Sequence, residues 1–201
     1  MLDNKLARPR KRTSLPTRLA LSTALATVAF AYGGRAAYAG ACLPNGPPGT
    51  YLCSVGADPF KVDLNQNISG APLTVTTTSG FGIDTSYRGG YALKLEGLGG
   101  GLSFTDGNSS AITGATRGIQ SQGLGAGTMT LTTTGQLTGK SSDGRLAQKL
   151  GAGDLTISTA GVSGFSNGVV AFAENGVLNV SSTGTVTGTS FSGISATNNN
   201  G

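Results

Sequence analysis

The side chains that could do chemistry in this chain are few: two cysteines, nine carboxylates and no histidine. Without histidine there is no Ser-His-Asp or Cys-His relay and no imidazole for a zinc site. Cys42 and Cys53 stand close together. In an oxidising compartment such a pair most simply forms one disulfide, and a closed loop of about 12 residues stabilises by roughly 3 kcal/mol. A rival reading makes Cys42 a lipid-modified N-terminus after Ala39-Gly40-Ala41 and leaves Cys53 unpaired. A polysaccharide-cleaving site could run on carboxylates alone. Those beyond residue 39 are Asp58, Asp63, Asp84, Glu96, Asp106, Asp143, Asp154 and Glu174. None of those in the repeat region recurs at a matching strand position one repeat away, as stacked catalytic carboxylates would. Asp143 and Asp154 fall at corners, where a solvated Asp is an ordinary turn residue. The expectation is a non-enzyme with no cofactor and no metal.

Glycine runs and basic residues point the same way. Gly97-Leu98-Gly99-Gly100-Gly101 and Gly123-Leu124-Gly125-Ala126-Gly127 are followed neither by Lys-Ser/Thr nor by a helical pattern, so they read as corners rather than phosphate loops. Arg117, Lys140, Arg145 and Lys149 make a small cluster around one corner, without the interleaved aromatics of a nucleic-acid stripe. Neither a nucleic acid nor a small-molecule substrate is expected.

The elements that carry these residues are set by a repeat. Ile112-Thr113-Gly114, Leu137-Thr138-Gly139, Val162-Ser163-Gly164 and Val186-Thr187-Gly188 recur about every 25 residues. An apolar pair keeps step upstream: Leu102/Phe104, Met129/Leu131, Leu155/Ile157 and Leu178/Val180. Apolar residues alternate with Thr and Ser, the period of a half-buried strand. Glycines at Gly118, Gly144, Gly168 and Gly193 open a further strand, giving three short strands and three corners per repeat. Gly and Asn at the corners tolerate positive φ. One such unit cannot bury its own Leu, Ile and Val, whereas stacked units make a continuous core. The chain is therefore expected to be all-β, a right-handed parallel β-helix with coils of about 25 residues. Its last coil, from Gly193 to Gly201, reads as unfinished; an exposed edge there predicts a longer protein or a truncated product.

Charge divides the chain. The formal net charge is +5, but seven of the 14 basic residues precede position 40, leaving seven against eight acids in the remainder. The basic stretch leads into Leu19–Tyr32, which is apolar and short for a bilayer span, and then Ala37-Tyr38-Ala39. This predicts a Sec-type signal peptide over 1–39, cleaved between Ala39 and Gly40; an N-terminal membrane anchor is the alternative. An irregular segment over 40–72, expected to hold the disulfide, and a β-helix region over 73–201 complete the division.

The signal, the openings Cys42-Leu43-Pro44-Asn45-Gly46 and Gly49-Thr50-Tyr51-Leu52-Cys53-Ser54, and the Gly-Ile, Leu-Thr-Ile and Val-Thr-Gly coils resemble the passenger region of bacterial autotransporters. The resemblance implies a right-handed β-helix exported by a Gram-negative bacterium through an outer-membrane β-barrel encoded downstream. It also implies display at the cell surface or release, with host-surface or cell–cell contacts in the manner of an adhesin. The competing expectations are a β-helical polysaccharide lyase or hydrolase fragment and an exoprotein of two-partner secretion, whose Asn-Pro-Asn motifs this chain lacks.

Overall fold

The structure is a computed structural model that describes residues 42–54, 56–58, 62–66 and 71–199. The leader expected over 1–39 and the Ala39–Gly40 cleavage site lie outside the described residues. The described chain contains 17 strands and no helix. In order they are β1 (Cys42–Pro44), β2 (Thr50–Cys53), β3 (Gly56–Asp58), β4 (Val62–Gln66), β5 (Leu73–Thr77), β6 (Phe81–Asp84), β7 (Leu93–Gly97), β8 (Leu102–Asp106) and β9 (Ala111–Gly114). There follow β10 (Ile119–Gly123), β11 (Met129–Gly139), β12 (Arg145–Ala152), β13 (Leu155–Gly164), β14 (Val169–Asn175), β15 (Leu178–Ser182), β16 (Val186–Gly188) and β17 (Ile194–Asn198).

Every described strand but β1 pairs in parallel with a counterpart one coil away, so the chain winds as a β-helix of about five turns. One sheet of six strands runs β4, β7, β10, β12, β14, β17. The other 11 strands form the second sheet, and both bury side chains in a single core. The expected three strands per coil are met only in part. In two coils the second and third strands fuse into the single long strands β11 and β13, which shift register between Thr133 and Gln136. A bulge bends a strand without ending it, so the second and third strands share one sheet.

The coil pattern also starts earlier than the alternation suggests. β2, β3 and β4 stack in parallel on β5, β6 and β7. The segment that reads as irregular thus supplies the first coil. Its Pro and Asn residues blur the alternation, but the backbone pairing survives. β1 folds back antiparallel on β2, with Cys42 opposite Cys53.

Inward residues stack in columns. Leu73, Leu102, Met129 and Leu155 form one, and Val75, Phe104, Leu131 and Ile157 the next; all are buried. Burying side chains of this size contributes about 1.5–3 kcal/mol each. The glycine that closes each repeated phrase has a reason other than the expected positive φ. Gly114, Gly139, Gly164 and Gly188 are not among the positive-φ glycines. A Cβ on each would instead collide with the carbonyl oxygen of Arg117, Asp143, Asn167 or Ser192 in the following corner. The phrase ends in glycine because the corner backbone folds flat against that Cα.

Candidate functional site

The two cysteines meet as expected. Cys42 and Cys53 form a disulfide that closes the β1–β2 hairpin over the first coil. With Cys42 bonded, the lipid-anchor reading falls. A disulfide is consistent with an oxidising compartment.

The carboxylates do not gather. Asp63 is exposed on β4, Glu174 is exposed on β14, and Asp58 lies in β3. Asp84 accepts a hydrogen bond from the Ser86 amide at 2.9 Å, and bonds from Ser86 hold its pKa below the ordinary value. Lys94 and Glu96 form an ion pair on β7. Asp154 accepts from the Val177 amide at 2.8 Å. Asp143 corrects the picture of a solvated turn residue: it is buried. Its Oδ2 accepts from Arg117 Nε at 3.3 Å, and its Oδ1 from the Asn167 amide and Nδ2 at 3.3 and 3.0 Å. Asn167 Oδ1 in turn accepts from the Ser192 amide at 3.2 Å. This corner is a polar clamp across successive coils. Among the described residues, no three His, Cys, Asp or Glu side chains gather around a metal position.

The basic cluster is dispersed. Lys140 Nζ lies 5.8 Å from the centre of the Tyr87 ring, a cation–π distance. Arg145 and Lys149 point into the lumen, while the apolar Leu146 between them faces outward. Arg145 replaces the aliphatic residue of its column, between Ile119 and Val169. Lys149 stacks between Gly123 and Ala173. A Cβ on Gly123 would lie 3.1 Å from Lys149 Cδ and 3.3 Å from Met129 Sδ, so glycine leaves room for the lysine stem. Lys149 Nζ reaches the corner and donates to the Gly125 carbonyl at 2.6 Å, with the side chain buried throughout. Burial lowers the Lys149 pKa. The sequence signal for both cations was their even spacing in a strand that otherwise alternates. Grouping them with Arg117 and Lys140 around one corner does not hold, because the structure places both in the interior.

A buried polar column lies beside them. Asp106, Thr133 and Thr159 are successive register partners in three adjacent coils. Asp106 accepts from Thr77 Oγ1 and Ser110 Oγ, both at 2.7 Å, and from the amides of Asn108 and Ser110 at 3.2 Å. Burial raises its pKa, but these four bonds outweigh it and hold the carboxyl below the ordinary range. Arg145 Nη2 donates to Thr133 Oγ1 at 3.2 Å, and Thr133 shares a 3.0 Å hydrogen bond with Thr159. Burial pushes the guanidinium down to about 9, with Asp106 opposing the shift, so it stays charged at neutral pH. Both charges are sealed from solvent. The column holds coils together; it is not placed to meet a substrate.

The outer face of the 11-stranded sheet carries two regular columns. Thr50, Thr74, Ser103, Thr130, Thr156 and Asn179 stack in one column. Leu52, Thr76, Thr105, Thr132, Ser158 and Ser181 stack in the next. Strand geometry spaces members of a column by about 4.8 Å and the two columns by about 6.7 Å. The grid is uncharged and offers hydroxyls that both donate and accept. No protein-family profile matches the chain, and no curated protein or solved structure is significantly similar to it.

Proposed function

We propose that this chain is an exported β-helical passenger segment of the bacterial autotransporter kind, working without catalysis as a surface scaffold or adhesin stalk. Its partners would be an outer-membrane β-barrel translocator encoded downstream and the surfaces of host or neighbouring cells. The hydroxyl grid carries this reading. Two uncharged columns cross six strands, so the same contact repeats along the solenoid, and many weak contacts of one kind add up to avidity. The disulfide supports export, since such bonds persist in oxidising compartments. The sealed, hydrogen-bonded state of Asp106 supports a non-catalytic role.

The test is retention of the purified, disulfide-intact chain on intact bacterial and host cells. Wild type is expected to be retained with little dependence on salt, because the two columns are uncharged. Replacing Thr105 and Thr132 by Glu, in the middle of the grid, is expected to abolish retention while circular dichroism stays β. Release of reducing sugar or unsaturated product from a panel of uronate polymers would favour the polysaccharide-cleaving alternative instead. Recovery of the expressed chain only from the cytoplasm, uncleaved at Ala39–Gly40, would overturn the export part.

A further inference from the structure

The described residues include the pairs Asn45-Gly46, Asn167-Gly168 and Asn175-Gly176, and the fold holds them differently. Asparagine before glycine can react with its own backbone, because glycine has no Cβ to keep its amide nitrogen away from the asparagine side-chain carbonyl. Asn167 is locked. Its Nδ2 donates to Asp143 Oδ1 at 3.0 Å, its Oδ1 accepts from the Ser192 amide at 3.2 Å, and the Gly168 amide donates to the Ser192 carbonyl at 3.1 Å. Asn175 ends β14 as the register partner of Ala152. Asn45 and Gly46, by contrast, are exposed at the turn of the β1–β2 hairpin. Backbone bonds close that turn: the Asn45 amide donates to the Thr50 carbonyl at 2.9 Å, and the Thr50 amide to the Pro47 carbonyl at 3.0 Å. Among the described residues, neither the Asn45 side chain nor the Gly46 amide has a hydrogen-bond partner. Gly46, at φ 123°, lies where L side chains rarely go, so the turn itself calls for glycine after Asn45.

We propose that Asn45 is a site of spontaneous covalent modification, converting to aspartate and isoaspartate in the folded hairpin. The Gly46 amide nitrogen gives up its proton to hydroxide and bonds to Asn45 Cγ. The Cγ–Nδ2 bond breaks, Nδ2 takes a proton from water, and ammonia leaves behind a five-membered imide. Water then opens the ring. Cleavage at Cγ gives aspartate; cleavage at the backbone carbonyl gives isoaspartate, with the chain running through the former side chain. The net change is one water in and one ammonia out, with no oxidant or reductant. No charged residue lies between Arg35 and Asp58, so the new carboxylate is the sole charge on the hairpin. The Cys42–Cys53 bond ties the two strands together, so the turn takes up the extra backbone methylene of isoaspartate while the coils stay folded. The chain thus gains negative charge with age at one chosen point, whatever surface role it serves.

Prolonged incubation of the folded, disulfide-intact chain in neutral heavy-oxygen water, followed by peptide mapping in a mass spectrometer, tests this. Asn45 is expected to take up labelled oxygen. Asn167 should react slower by about tenfold or more, because its side chain must first leave the Asp143 carboxylate. In urea with the disulfide reduced, the two rates should converge. Asn45→Ala should remove the acidic species that ion exchange resolves from aged wild type, with circular dichroism still β. Asn45→Asp should co-elute with part of that species. An unlabelled Asn45 in the folded chain overturns the proposal, as does an Asn167 that reacts as fast. A difference that persists undiminished in urea also overturns it, since neighbouring sequence rather than the fold would then set the rates.

Discussion

Arg145 donates to the hydroxyl of Thr133, and Thr133 is the register neighbour of Asp106. Two buried charges from neighbouring coils are thus linked through one threonine. A buried guanidinium is tolerable only while an opposite charge and hydrogen bonds offset its desolvation. Asp106→Asn is expected to destabilise the fold by about 3–5 kcal/mol, because it strands Arg145 without a counter-charge. Arg145→Met restores an apolar member to the column of Ile119 and Val169. The double variant should lose less than the sum of the two single losses. Urea unfolding of the four proteins measures that coupling, and strict additivity would show that the two charges do not interact.

The acid limb of stability follows from the same carboxylate. Asp106 has a pKa below its unfolded value, so the folded state favours the ionised form. That contribution is complete above the ordinary Asp value of about 4 and is lost as pH falls through the lower folded-state value. The melting temperature should therefore fall steeply below about pH 4. In Asp106→Asn the same limb should be shallower. An unchanged limb in the variant would assign acid sensitivity to other groups.

Glycine at the end of each repeated phrase should be replaceable by nothing larger. Gly139→Ala puts a methyl into the Asp143 carbonyl, and Gly164→Ala does the same at Asn167. Losses above about 4 kcal/mol, or failure to fold, are expected, since the clash is with backbone. Gly107 has nothing within 4 Å of its added Cβ and is not among the positive-φ glycines. Gly107→Ala should be neutral or stabilise by about 0.4–1 kcal/mol. Thermal melts of the three variants compare these directly.

Much of the fold was legible because a β-helix repeats its own rule. The phrase and apolar-pair columns predicted from spacing appear as register partners, Leu137 on Val162 and Leu131 on Ile157 among them. The interior polar residues were less legible. Period-2 alternation states which residues share a face, not which face is inside, so Arg145 and Lys149 read as part of a basic corner cluster rather than as interior residues. The answer lay one coil back, where Gly123 leaves space for the Lys149 stem. The Asp106 column was hidden differently. Its partners Thr77 and Ser110 lie 29 and four positions away, so no single local window shows them together. The Thr and Ser grid was readable strand by strand, but its continuity depended on register that only backbone pairing reveals.

The near-constant offset between paired strands has a kinetic side. Met129 meets Leu155, Leu155 meets Leu178, and Ile119 meets Arg145 at separations of one coil each. Closing a loop of nearly the same length at each step carries nearly the same entropy cost. Assembly can then proceed as a zipper, each finished coil serving as template for the next. A chain built this way can lengthen indefinitely without slowing, because its hardest step never grows. It suits a polypeptide that must fold as it emerges, one end before the other.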